Sequence, residues 1–84
     1  ADQRMAAFLI SLSRRYAARG FSAKRFHLTM SRTDMANYLR LAPETVSRVL
    51  RRFQVEGFIQ VERRELEITQ VEPLQRLAEP VLRD

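Results

Sequence analysis

Glu44, Ser47 and Arg48 stand within "RLAPETVSRVLRR", residues 40–52, at separations of three and four. On a helix those separations put all three on one face. Arginine can donate two hydrogen bonds to guanine O6 and N7, and glutamate can accept from the cytosine amino group. A serine can touch a base edge or a thymine methyl. The acid is the informative member, because every phosphate near DNA repels it unless it reads a base or orients an arginine. The competing reading is a solvated i,i+4 Glu–Arg pair that contributes ~0.3–0.5 kcal/mol. Thr45, Arg51 and Arg52 extend the polar side of the same stretch.

Such a face needs a helix with its other side buried. Val46, Val49, Leu50 and Phe53 supply an apolar stripe at helical spacing, Pro43 suits the first helical position, and Gly57 closes the helix. Before it, "SRTD" at 31–34 is a capping box, with Ser31 accepting from the Asp34 N–H and the Asp34 carboxylate reaching back. The short helix it opens carries Met35, Ala36, Tyr38 and Leu39, and the small Ala36 lets the next helix cross close by. Two strands follow, "FIQVE" and "ELEIT", joined by Arg63-Arg64 as a hairpin with a basic tip. Upstream, Met5, Phe8, Leu9, Leu12 and Tyr16 mark a helix over residues 2–19, capped by Asp2 and ended by Gly20. "FHLTM" alternates as a half-buried strand. Pro73 starts a last short helix and Pro80 ends it. Phe8, Tyr16, Phe26, Phe53 and Phe58 are expected in the core.

The resulting order, α-β-α-α-β-β-α, is α+β. Two helices on a tight turn followed by a small hairpin make a winged helix-turn-helix. One domain over residues 1–84 is expected, with the helix-turn-helix at about 31–56 and the wing at about 58–70. The formal charge is +5, the pI is near 11.0, and fourteen of the fifteen basic residues are arginine. That skew favours a nucleic-acid partner. With no cysteine, the chain has no disulfide framework, thiolate metal site or cysteine nucleophile. "MAAFLI" is too short to cross a bilayer and no signal-peptide layout opens the chain, so a cytoplasmic, membrane-free location is expected. The chain opens inside an amphipathic pattern without Met, as expected for a piece of something longer.

"MSRTDMANYLRLAP" followed by "ETVSR" resembles the recognition element of the CRP/FNR superfamily of bacterial transcription regulators. "AAFLISLSRRYAARGFSAKRFHLTMSR" resembles the fumarate and nitrate reduction (FNR-type) branch in particular. The likeness runs from about Ala1 to Ala78. It implies sequence-specific binding to double-stranded DNA, by a dimer, at an inverted repeat with TTGAT-like half-sites. By that resemblance Glu44, Ser47 and Arg48 read bases, while Ser31, Arg32 and Thr45 hold phosphates. Arg51, and Arg63 and Arg64 at the hairpin tip, are added as phosphate contacts. The resemblance also implies a longer parent with a sensory domain, which in this branch often carries an iron–sulfur cluster, and contact with RNA polymerase. No cofactor or metal site is expected in these residues. Two positions depart from the family pattern. Arg40 replaces the usual turn glycine, where positive φ costs ~1 kcal/mol. Ala42 replaces a hydroxyl cap, losing roughly 0.5–2 kcal/mol, part of which Pro43 offsets by stiffening the unfolded chain.

The alternative is a winged helix that meets an acidic protein partner through its basic face; the mixed Glu–Ser–Arg set suits base edges better. Arg14 and Arg15 read as plain surface, and Glu62 and Glu65 dilute the field of the wing. His27 reads as a strand-surface residue without a second ligand. Ser11, Ser13, Ser22, Ser31 and Ser47 share one histidine and no glycine-rich phosphate loop, so an enzyme is not expected. No heptad seam or large spare apolar face is present, so the chain alone is expected to be monomeric.

Overall fold

In the computed structural model, which describes residues 1–20 and 24–82, the amphipathic N-terminal stretch forms α1, Asp2–Ala18. Its burial goes beyond one stripe. All six residues from Met5 to Ile10 are buried, because α1 packs against the last helix on one side and the recognition-position helix and first strand on others. Full burial of a side chain such as Met5 or Leu9 contributes about 1.5–3 kcal/mol. Leu12 and Tyr16 pack against the core edge. The expected Asp2 cap is not made: Ala1 occupies the cap position, and the Asp2 carboxylate is engaged elsewhere. Gly20 takes φ +84° just past the helix, as its expected role as terminator requires. Ser22 lies outside the described residues.

The central pair is α2, Arg32–Leu39, and α3, Pro43–Val55. The capping box at the start of α2 is present: the Asp34 N–H donates to Ser31 Oγ at 3.0 Å, and the Ser31 N–H to Asp34 Oδ2 at 3.5 Å. At the other end Arg40 adopts φ 58°, ψ 47°. The Leu41 N–H donates to Ala36 O and the Arg40 N–H to Asn37 O. This is a Schellman closure with arginine where glycine is the comfortable residue. α3 ends in the same pattern, with Phe58 N–H to Phe53 O and Gly57 N–H to Gln54 O, but there the left-handed residue is Gly57 at φ +80°. Ala42 gives α3 no side-chain cap, and Pro43 opens it. Val46, Val49, Leu50 and Phe53 are buried as their spacing requires.

Three antiparallel strands complete the fold in the order β1-β3-β2: β1 Arg25–His27, β2 Ile59–Glu62 and β3 Glu65–Ile68. The register puts Phe26, Leu66 and Val61 in one row and Ile59 opposite Ile68 on the core face. β1 is shorter than its alternation over 26–30 predicts. The Leu28 N–H still reaches Arg64 O at 2.7 Å, and the chain then turns to place Ser31 as a cap. α4, Val71–Leu82, is longer than expected. Pro73 is its third residue, where an N–H has no intrahelical partner to lose, so the helix begins two residues earlier. Pro80 lies inside the final turn instead of ending the helix. Phe58 is half-buried, tilted against Phe53 at 5.8 Å between ring centroids; Phe8, Phe26 and Phe53 are buried.

Candidate nucleic-acid interface

Burial of one side of α3 determines what its other side presents. Glu44, Ser47, Arg48 and Arg51 are exposed and, with Pro43, line one shallow open depression. Their separations of three and four stack them along about the first two and a half turns. Glu44 and Arg48 form no ion pair within 4.0 Å, and neither has a side-chain hydrogen bond among the described residues. The solvated intrahelical pair weighed for them is therefore absent. Arg51, expected to meet phosphate, shares the depression with the three base-reading candidates. Pro43, noted in the sequence only as a helix starter, contributes an apolar edge there.

The other phosphate candidates sit on several elements. Ser31 and Arg32, both half-buried, stand at the positive N-terminal end of α2. The Ser31 oxygen accepts from Asp34, which leaves its own O–H to donate. Thr45 is half-buried in the first turn of α3. With no side chain capping this end, the backbone N–H groups of Glu44 and Thr45 have no intrahelical partner. Arg63 and Arg64 form the two-residue connection between Glu62 and Glu65, with Arg63 at φ 58°. The outer face of the sheet carries Glu62 directly opposite Glu65 and Glu67 opposite Arg25, so acids crowd the base of the wing as expected.

Ion pairing sorts the arginines. Arg25 meets Glu67 at 3.2 Å, Arg76 meets Glu72 at 3.8 Å, and Arg4 Nη1 donates to the Leu39 carbonyl at 3.2 Å. Arg52, placed by its sequence position beside Arg51 on the outward side, instead bonds the Asp2 carboxylate, Nη1 to Oδ1 at 2.6 Å. Arg32, Arg48, Arg51, Arg63 and Arg64 make no side-chain hydrogen bond or ion pair among the described residues. Fifty positions separate Asp2 from Arg52, so no local signal marks that bond. His27 is exposed on its strand, as expected, with Nδ1 3.0 Å from Glu65 Oε1. No group of three metal-ligating side chains exists among the described residues.

The Crp-like helix-turn-helix domain model matches residues 3–77. The chain belongs to that family. As a Crp-like domain it is a sequence-specific DNA-binding module of transcription regulation. It is 57% identical over 68 residues to the transcriptional activator protein FnrA of Stutzerimonas stutzeri, covering 81% of this chain and 28% of that protein. It is 49% identical over 78 residues to the fumarate and nitrate reduction regulatory protein of Escherichia coli K12, covering 93% and 31%. A solved structure of a crp/fnr family member from Eubacterium rectale superposes with a TM-score of 0.76 at 28% identity, covering 94% of this chain and 33% of that one. The chain thus spans about a third or less of the proteins it matches. Among the described residues no helix is long and apolar enough to cross a membrane.

Proposed function

We propose that this Crp-like domain reads TTGAT-like half-sites of an inverted repeat, with Glu44, Ser47 and Arg48 on base edges. Ser31, Arg32, Thr45, Arg51, Arg63 and Arg64 hold the flanking phosphates and set the depth of α3 in the major groove. The observation that carries this reading is the unpaired state of Glu44 and Arg48 on an exposed face. A carboxylate and a guanidinium one turn apart gain from pairing in water, and these two are instead both open to a third group. The domain does its work by binding and not by catalysis, as the C-terminal DNA-binding part of a longer cytoplasmic FNR-type regulator that acts as a dimer and contacts RNA polymerase. The chain has no cysteine, so a thiolate-held iron–sulfur cluster finds no ligands in it. A cluster or other sensory ligand belongs to other segments of that regulator.

Competition binding with every single-base variant of a half-site tests the assignment. Arg48→Ala costs about 1–3 kcal/mol on the preferred half-site and relaxes selection at one G·C position. Glu44→Ala relaxes selection at a neighbouring position and leaves generic binding equal or tighter, because a negative charge is removed. Unchanged selectivity in both variants overturns the reading.

A further inference from the structure

A second surface lies away from the base-reading depression. α1, the end of α2 and the end of α4 enclose an open groove of about 310 Å³, and the base-reading trio does not line it. Phe8 and Leu12 form its floor; Tyr38 and Val81, 63% and 43% exposed, form its walls. Both wall residues leave large apolar area in water; outside the groove, Val55 is the other large apolar side chain so exposed among the described residues. The Tyr38 ring leans on Phe8 at 5.5 Å between centroids, so the wall is held in place. Among the described residues, every charged residue lining the groove is an arginine: Arg4, Arg15 and Arg40. Arg15 and Arg40 make no side-chain hydrogen bond or ion pair among the described residues, and Arg4 spends one nitrogen on the Leu39 carbonyl, leaving most of its donors free.

We propose that this groove docks a helix of a partner protein whose apolar ridge is flanked by carboxylates. The apolar floor and walls supply the area, and three cations, with no acid beside them among the described residues, select the flanks. The length agrees. Arg4 to Arg15 run ~16 Å along α1, roughly three turns of a helix laid beside it, the geometry of helix-in-groove recognition. A purely apolar occupant leaves the three guanidinium groups unused, and a basic one meets repulsion.

The test uses the 84-residue chain and two synthetic helix-forming peptides with the same leucine ridge. One carries glutamate on both flanks, the other lysine. Titration into isotopically labelled protein is followed by amide shifts and by calorimetry. The glutamate peptide binds with shifts centred on Phe8, Leu12, Tyr38 and Val81, and is preferred roughly tenfold, as three exposed charge pairs together provide. Tyr38→Ala weakens it. Arg15→Glu, at an exposed site that leaves the core intact, lowers the preference for glutamate and raises affinity for lysine. Generic duplex DNA added in excess leaves the peptide bound. Equal affinity for both peptides, shifts centred on α3, or release of the peptide by duplex each overturns the proposal, the last by assigning the arginines to phosphate. Self-association of the chain through the groove with no peptide binding overturns it in favour of a second copy.

Discussion

Arg51 and Arg52 are neighbours in sequence and opposites in structure, and substituting each in turn isolates the contribution of a free guanidinium. Arg51 lines the α3 depression without a partner, whereas Arg52 is held by Asp2. Each variant removes one positive charge, so the long-range attraction to DNA falls equally in both. Only loss of a direct phosphate contact changes the number of counterions released. Arg51→Ala therefore lowers the magnitude of the salt slope of log K by ~0.9. Between 50 and 200 mM salt its affinity deficit shrinks about 3.5-fold, the fourfold change raised to that power. Arg52→Ala keeps the parental slope. Its cost falls on folding and is small. The pair is partly solvent-exposed, with side chains 48% and 33% accessible, and such surface pairs contribute about 0.2–1 kcal/mol. Fluorescence anisotropy on one duplex at four or five salt concentrations gives both slopes, and urea denaturation gives the stabilities. An Arg52→Ala slope that drops as far as that of Arg51→Ala refutes the sorting of arginines by ion pairing.

The two Schellman closures make a second pair. Arg40→Gly relieves left-handed strain and stabilises the fold by about 0.5–1 kcal/mol, a rise in Tm of roughly 2–8 °C, while Arg40→Ala gives no such gain. Gly57→Ala destabilises by about 1 kcal/mol or more, since alanine must hold φ +80° there and its Cβ meets Gln70 Nε2 at 3.4 Å; thermal denaturation reads all three. Arg32→Ala weakens all duplex sequences alike, and a loss confined to one sequence in the competition assay removes its positioning role. Sedimentation finds the chain monomeric. Fusing a parallel coiled coil ahead of Asp2 raises affinity for a whole inverted repeat by ~10²–10⁴ while half-sites stay weak; equal affinity for half and whole sites contradicts the dimeric mode.

Sequence alone determined the parts of this protein that depend on a few neighbouring residues. Ser31 and Asp34 announce a cap because both hydrogen bonds close within three positions. Pro43 and Gly57 bracket α3 through their own φ preferences, whereas the positive φ of Arg40 was expected from the family resemblance, which puts glycine at that turn. The side of α3 that carries Glu44, Ser47 and Arg48 was legible for the same reason: burying Val46, Val49 and Phe53 leaves those side chains outside. Tertiary structure decided whatever needed a partner distant in the chain. Local spacing gave α1 one stripe, but helices and a strand packed on several sides bury Met5 to Ile10 without a break. His27 and Glu65 meet because β1 pairs with β3. Proline position marked Pro80 as a stop, yet α4 runs on to Leu82. Two adjacent arginines are alike to any local reading. Which one is left unpaired depends on where Asp2 lies, and a surface ion pair is set by the proximity that packing creates, not by chain order.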